Sequence, residues 1–129
     1  MDERRKAPRK KTDHFIGIYH KETDEFIGKL LDLSTKGMMI SALRLMIAKT
    51  KYDIRMLLPM PIGGKFTLTF EAACVWCCES PGSDKKYKAG FNFTNIYLDQ
   101  LETIECLLNN ALFYAEEEQP RLTLVKKST

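Results

Sequence analysis

The 129-residue sequence has no apolar run long enough to cross a bilayer. Its charged N-terminus lacks the apolar stretch of a secretory signal. A cytoplasmic chain without membrane insertion is the expectation. Histidine is scarce: His14 and His20 stand at no ligand-like spacing from the cysteines. Cys74-Val75-Trp76-Cys77 has C-x-x-C spacing, but no second such pair exists, which argues against a zinc site. The segment also reads as a strand, on which residues three apart face opposite ways, so the sulfurs of Cys74 and Cys77 are expected to diverge. All four cysteines (with Cys78 and Cys106) are read as reduced and structural. No base-oriented nucleophile, phosphate-cradling loop or metal cluster is visible, so neither an enzyme nor a bound cofactor is expected. Internal repeats and low-complexity tracts are also missing.

Two segments are depleted in a telling way. After Met1, residues 1–12 contain no Val, Ile, Leu or aromatic side chain. Such a segment buries too little to order itself, and it reads as an arm that stays mobile until something anionic binds. From Ala89 to Pro120 every charge is acidic: Asp99, Glu102, Glu105, Glu116, Glu117 and Glu118.

Composition is otherwise that of one ordinary globular domain, with 44% hydrophobic and 29% charged residues. The net charge of +3 is unevenly placed. Arg4, Arg5, Lys6, Arg9, Lys10 and Lys11 outweigh Asp2 and Glu3, so the arm carries +4 and the other 117 residues −1. A basic arm on a near-neutral body favours a compact anionic ligand or a local contact over broad DNA or RNA binding.

The body reads as strands. Residues 14–20 and 25–31 are rich in β-branched and aromatic types and form a hairpin. Asp32-Leu33-Ser34-Thr35-Lys36-Gly37 is a polar turn, and Met38 opens the third strand. Gly37 sits where a chain re-entering a sheet needs a positive φ or a close backbone approach. Residues 42–51 fit a strand or a short helix equally. Residues 52–58 form a strand, broken by Pro59, Pro61, Gly63 and Gly64. Residues 65–78 make a long strand and residues 86–94 the last. The period then changes to helical, with apolar residues from Leu101 through Ile104, Leu107, Leu108 and Leu112 to Ala115. Asp99 and Glu102 suggest a capping box, and the helix is expected to reach Gln119 and stop at Pro120. Three glutamates at its end oppose the dipole and should fray it. The divisions expected are an arm over 1–12, a body over 13–119 and a disordered tail over 120–129.

Arg5-Lys6-Ala7-Pro8-Arg9 and the Asp32–Gly37 turn form an Arg-x-x-x-Arg and Asp-x-Ser-x-x-Gly pair, in that order. With the strand order across residues 4–115, the pair resembles the PilZ family of cyclic di-GMP receptors. Gly28, Val75-Trp76 and Ala89-Gly90-Phe91-Asn92-Phe93 resemble further family positions. The resemblance implies a mainly β fold, a six-stranded antiparallel barrel with a C-terminal amphipathic helix. It implies a cyclic di-GMP site formed by Arg5, Arg9, Asp32, Ser34 and Gly37. In PilZ proteins the residue before the arginine motif, here Arg4, is associated with whether one ligand or an intercalated dimer binds. Guanidinium forks suit both phosphate and the O6/N7 edge of guanine, and a carboxylate suits guanine N–H donors. The expected action is ligand-driven ordering of the arm, signalling to a protein partner in motility, exopolysaccharide or biofilm control. An adaptor that works by protein contacts without nucleotide is the alternative.

Overall fold

The structure, a computed structural model, describes residues 8–82 and 85–115. Its elements are β1 (Lys10–Thr12), β2 (Gly17–His20), β3 (Phe26–Leu33), β4 (Gly37–Ala42), β5 (Lys51–Ile62), β6 (Lys65–Glu79), β7 (Tyr87–Thr94), α1 (Leu98–Leu108) and β8 (Phe113–Ala115). Six strands in the order β2-β5-β6-β7-β4-β3 close through the β2–β3 pairing into an antiparallel barrel, as expected. Alternation accounts for its core. Ile18, Leu30, Met38, Ile40, Ile54, Met56, Leu68, Phe70 and Phe91 point inward, and Ile104 and Leu107 of α1 join them. Residues 43–50, either strand or helix by sequence, form neither; they cross one end of the barrel, with Met46 buried among the core side chains.

β1 and β2 run along the same edge of β3. β2 takes its first half, with Gly17 opposite Lys29. β1 takes its second half, with Lys10 opposite Leu33 and Lys11 opposite Asp32. The other edge of β1 carries β8, with Lys10 opposite Ala115 and Thr12 opposite Phe113. Residues 10–12, assigned by sequence to a mobile arm, are therefore a strand between two others. Lys10 Nζ donates to Leu108 O (3.0 Å) and Thr12 Oγ1 to Leu112 O (2.9 Å). These bonds and two backbone ladders offset the ordering that the arm's few apolar groups cannot support alone.

The helix is shorter than its apolar period suggests. It ends at Leu108, and the chain turns through Asn109 and Asn110 into β8. Asn110 makes the stop: its Oδ1 accepts from Leu112 N (2.9 Å) and its backbone oxygen from Phe113 N (3.1 Å). Side chains that bond nearby backbone in this way compete with helix. Residues 116–119 of the expected helix, and the tail, lie outside the described residues. At the other end the N-cap is Tyr97 rather than Asp99; Tyr97 N donates to Gln100 Oε1 (2.6 Å).

The cysteine geometry also departs from expectation. A bulge between Cys74 and Trp76 resets the alternation of β6, so Cys74 faces Phe91 and Cys77 faces Ala89. Phe91 and Ala89 are both core residues, so both sulfurs point to the inner side. Burial pushes the Cys74 thiol up, and nearby Cys77 pushes it further. The raised folded value stabilises the fold while the thiol keeps its proton, and that contribution is lost as pH climbs through the folded value. In a thiol-reagent time course at neutral pH, exposed Cys78 and Cys106 should react at once and buried Cys74 only on unfolding. Prompt labelling of Cys74 in the folded chain would contradict this packing.

Candidate functional site

The corner between β3 and β4 is built by Ser34. Its Oγ accepts from Lys36 N (3.1 Å) and Gly37 N (3.2 Å), and its own N–H donates to Gly37 O (2.9 Å). A short hydroxyl side chain that satisfies two backbone donors fixes a tight turn. The turn is tied to β7 by Phe93 N, which donates to Lys36 O (2.9 Å). Gly37 is required by space rather than by φ. A Cβ there would lie 2.0 Å from the Phe91 carbonyl oxygen. The close approach expected from sequence is present.

Asp32 pairs with Met39 across a bulge in β3, on the face opposite core residues Leu33 and Met38. It is nonetheless 4% exposed. Arg9, just before β1, places Nη1 3.6 Å from Asp32 Oδ1; the two side chains are 51% and 5% exposed. The distance is that of an ion pair rather than a hydrogen bond. The pair sits at the rim, with the carboxylate covered and the guanidinium half in water. The register of β1 on β3 thus brings Arg9, Asp32, Ser34 and Gly37 to one corner. Arg4 and Arg5 lie outside the described residues.

Cross-strand pairing extends this corner over the outer wall. Lys11 lies opposite Asp32, Asp32 opposite Met39, Met39 opposite Gly90, and Gly90 opposite Trp76. The indole of Trp76 lies over Gly90: a Cβ there would be 2.3 Å from Nε1. Trp76 is 38% exposed, so part of its ring faces solvent in the same row as Asp32. Val75-Trp76 stands out in the sequence, yet no pattern there places the indole in this row. The bulge that turns it outward leaves no mark in the alternation; the sole tryptophan beside a Gly-containing strand was the available signal. Among the described residues no group of three or more metal-ligating side chains occurs, and no helix is long and apolar enough to cross a membrane.

Chemically, a guanidinium suits a phosphate or the O6/N7 edge of a guanine, and a carboxylate suits N–H donors. Comparisons agree on the architecture. Residues 3–110 match the family described as PilZ domain. The PilZ domain with c-di-GMP of YcgR from Escherichia coli superimposes with a TM-score of 0.62 at 16% identity, covering 95% of this chain and 98% of that one. The K. pneumonia MrkH–c-di-GMP complex gives 0.61 at 15%, covering 98% of this chain and 56% of that one. Bacillus subtilis MotI/DgrA, an inhibitor of motility, gives 0.60 at 17%, covering 78% and 47%. The chain therefore spans about half the length of the last two. At such identities the likeness speaks for the fold. No curated protein matches the sequence.

Proposed function

The chain belongs to the PilZ domain family, and from that premise we propose that it is a cytoplasmic receptor for cyclic di-GMP and not an enzyme. The observation that carries this reading is the Arg9–Asp32 ion pair, set beside the Ser34–Gly37 turn by the register of β1 on β3. A fork held near its working position loses less freedom on binding. Arg9 takes a phosphate or the O6/N7 edge of a guanine. The Asp32 carboxylate takes guanine N–H donors. Ser34 acts by shaping the corner, since its hydroxyl already serves Lys36 and Gly37. Arg4 and Arg5 complete the grip from the preceding arm, and Arg4 bears on whether one or two ligands bind. The bound arm offers a changed surface to a protein partner, in control of motility, exopolysaccharide or biofilm.

Calorimetric titration with cyclic di-GMP, beside GTP and cyclic GMP, tests the reading. Saturable heat with the first ligand alone supports it; no binding in low salt rejects it. Trp76 gives a second readout. Its exposed ring can stack on a guanine, which is worth about 1–3 kcal/mol for base on aromatic. Trp76→Ala should weaken binding by that amount, and wild-type emission should change on titration because the chain has one tryptophan. Unchanged emission at calorimetric saturation would place the ligand elsewhere.

One observation favours the adaptor alternative. Ser34 and Gly37 each have a structural task, so a barrel that binds no nucleotide has reason to keep them. Partner capture that is indifferent to cyclic di-GMP would support that reading.

A further inference from the structure

The arm depends on more than β3. Lys10 Nζ donates to Leu108 O at 3.0 Å, at the negative end of a helix with no basic residue in its own last turn. Thr12 Oγ1 donates to Leu112 O at 2.9 Å and accepts from His14 N at 3.2 Å. Thr12 is 6% exposed, a buried hydroxyl engaged both as donor and as acceptor. Beyond these two bonds, β8 supplies the second ladder of β1. A three-residue strand gains too little from one ladder to hold itself in place. β1 is hung from the exit of α1 as much as it is paired to the barrel.

We propose that Lys10 and Thr12 are positioning residues for the cyclic di-GMP site, hanging the arm on the α1 exit so that ligand binding and β8 pairing stabilise each other. This rests on the receptor reading and names the route by which that site is coupled to the rest of the fold. A ligand that grips Arg9 binds the docked arm in preference to the undocked one. By linkage it strengthens every contact that the docked arm makes, and β8 holds most of those outside the barrel proper. The same reciprocity makes contacts at Leu108 and Leu112 contribute to affinity without touching ligand. The surface formed by the α1 exit and β8 is then where occupancy becomes readable to a partner.

The test uses the full chain, titrated with cyclic di-GMP by calorimetry and followed by amide hydrogen exchange with and without ligand. Thr12→Val keeps the branched shape and removes both hydroxyl bonds; Thr12→Ser keeps the hydroxyl. Thr12→Val should raise Kd about three- to tenfold, the effect of one or two hydrogen bonds. Thr12→Ser should stay within about twofold of wild type. Ligand should slow exchange at Tyr114, whose N–H faces β1 opposite Lys11 because that of its neighbour Phe113 is held by Asn110 O, in wild type and Thr12→Ser, and much less in Thr12→Val. Lys10→Met should weaken binding more than Lys51→Met, the same charge change on β5, and Lys10→Arg should restore it. Equal binding by Thr12→Val, or saturation that leaves exchange at Tyr114 unchanged, overturns the proposal while the receptor reading stands. Failure of wild type to bind removes both.

Discussion

Gly37→Ala should lower the unfolding free energy by about 3 kcal/mol or more, the upper part of the range for overpacking. The added methyl would sit 2.0 Å from Phe91 O and 3.1 Å from Phe91 C. These are backbone atoms of the neighbouring strand, so no rotamer change relieves the clash. Relief requires β4 and β7 to part where Gly37 lies opposite Asn92 and Phe93 N bonds to Lys36 O. Gly63→Ala is the comparison. Gly63 has φ 59° with open space around it, so only the left-handed conformation is strained, at about 1 kcal/mol. Urea midpoints of the two variants against wild type measure the difference. A wild-type midpoint for Gly37→Ala would mean that the two strands do not approach so closely.

That expectation changes what the motif's glycine can teach. Loss of ligand by Gly37→Ala would follow from loss of the corner, so it carries no information about a contact with ligand. Ser34 is in the same position, because its Oγ holds Lys36 N and Gly37 N. The motif divides into residues that build the corner, Ser34 and Gly37, and the charged residues proposed to meet the ligand, Asp32 and Arg9. Only the second kind tests recognition.

The strands were legible because alternation and turn residues agree. Gly63-Gly64 closes the β5–β6 hairpin where the sequence shows a glycine pair, and the corner starts where small polar residues interrupt two apolar runs. The errors have physical causes. β1 holds almost nothing apolar, and its partners lie 98 and 100 residues away, at Leu108 and Leu112. No local pattern encodes such contacts. Ala111, Leu112 and Ala115 continue a helical period, yet Asn110 bonds its own neighbourhood and ends the helix before them. The bulge in β6 inverts the expected facing of Cys77 and turns Trp76 toward the Asp32 row, a shift that a strict two-residue period cannot register. The candidate site was legible as residue types in order. Its assembly was not, because that depends on β1 lying on β3.

Arg9→Ala and Asp32→Ala should each weaken cyclic di-GMP binding by about 1–3 kcal/mol, the scale of a charge-assisted or base-edge contact. That is roughly five- to 150-fold in Kd. The Arg9 side chain is 51% exposed, so Arg9→Ala should keep the barrel; Asp32 is buried but lies on the face opposite the apolar core, so Asp32→Ala should keep the barrel with some loss of stability. Their effects should not add. The two side chains face each other at 3.6 Å, so removing one also releases the other from its place. The double variant should therefore lose less than the two single losses together. Asp32→Asn keeps an acceptor at the corner and should bind better than Asp32→Ala. Added salt should weaken wild type more than Arg9→Ala, since the variant has one fewer guanidinium to be screened. Calorimetry on the five chains, wild type included, at two ionic strengths reads all of this. Wild-type affinity in both single variants would separate the pair from the ligand and leave Arg9 and Asp32 as parts of the fold alone.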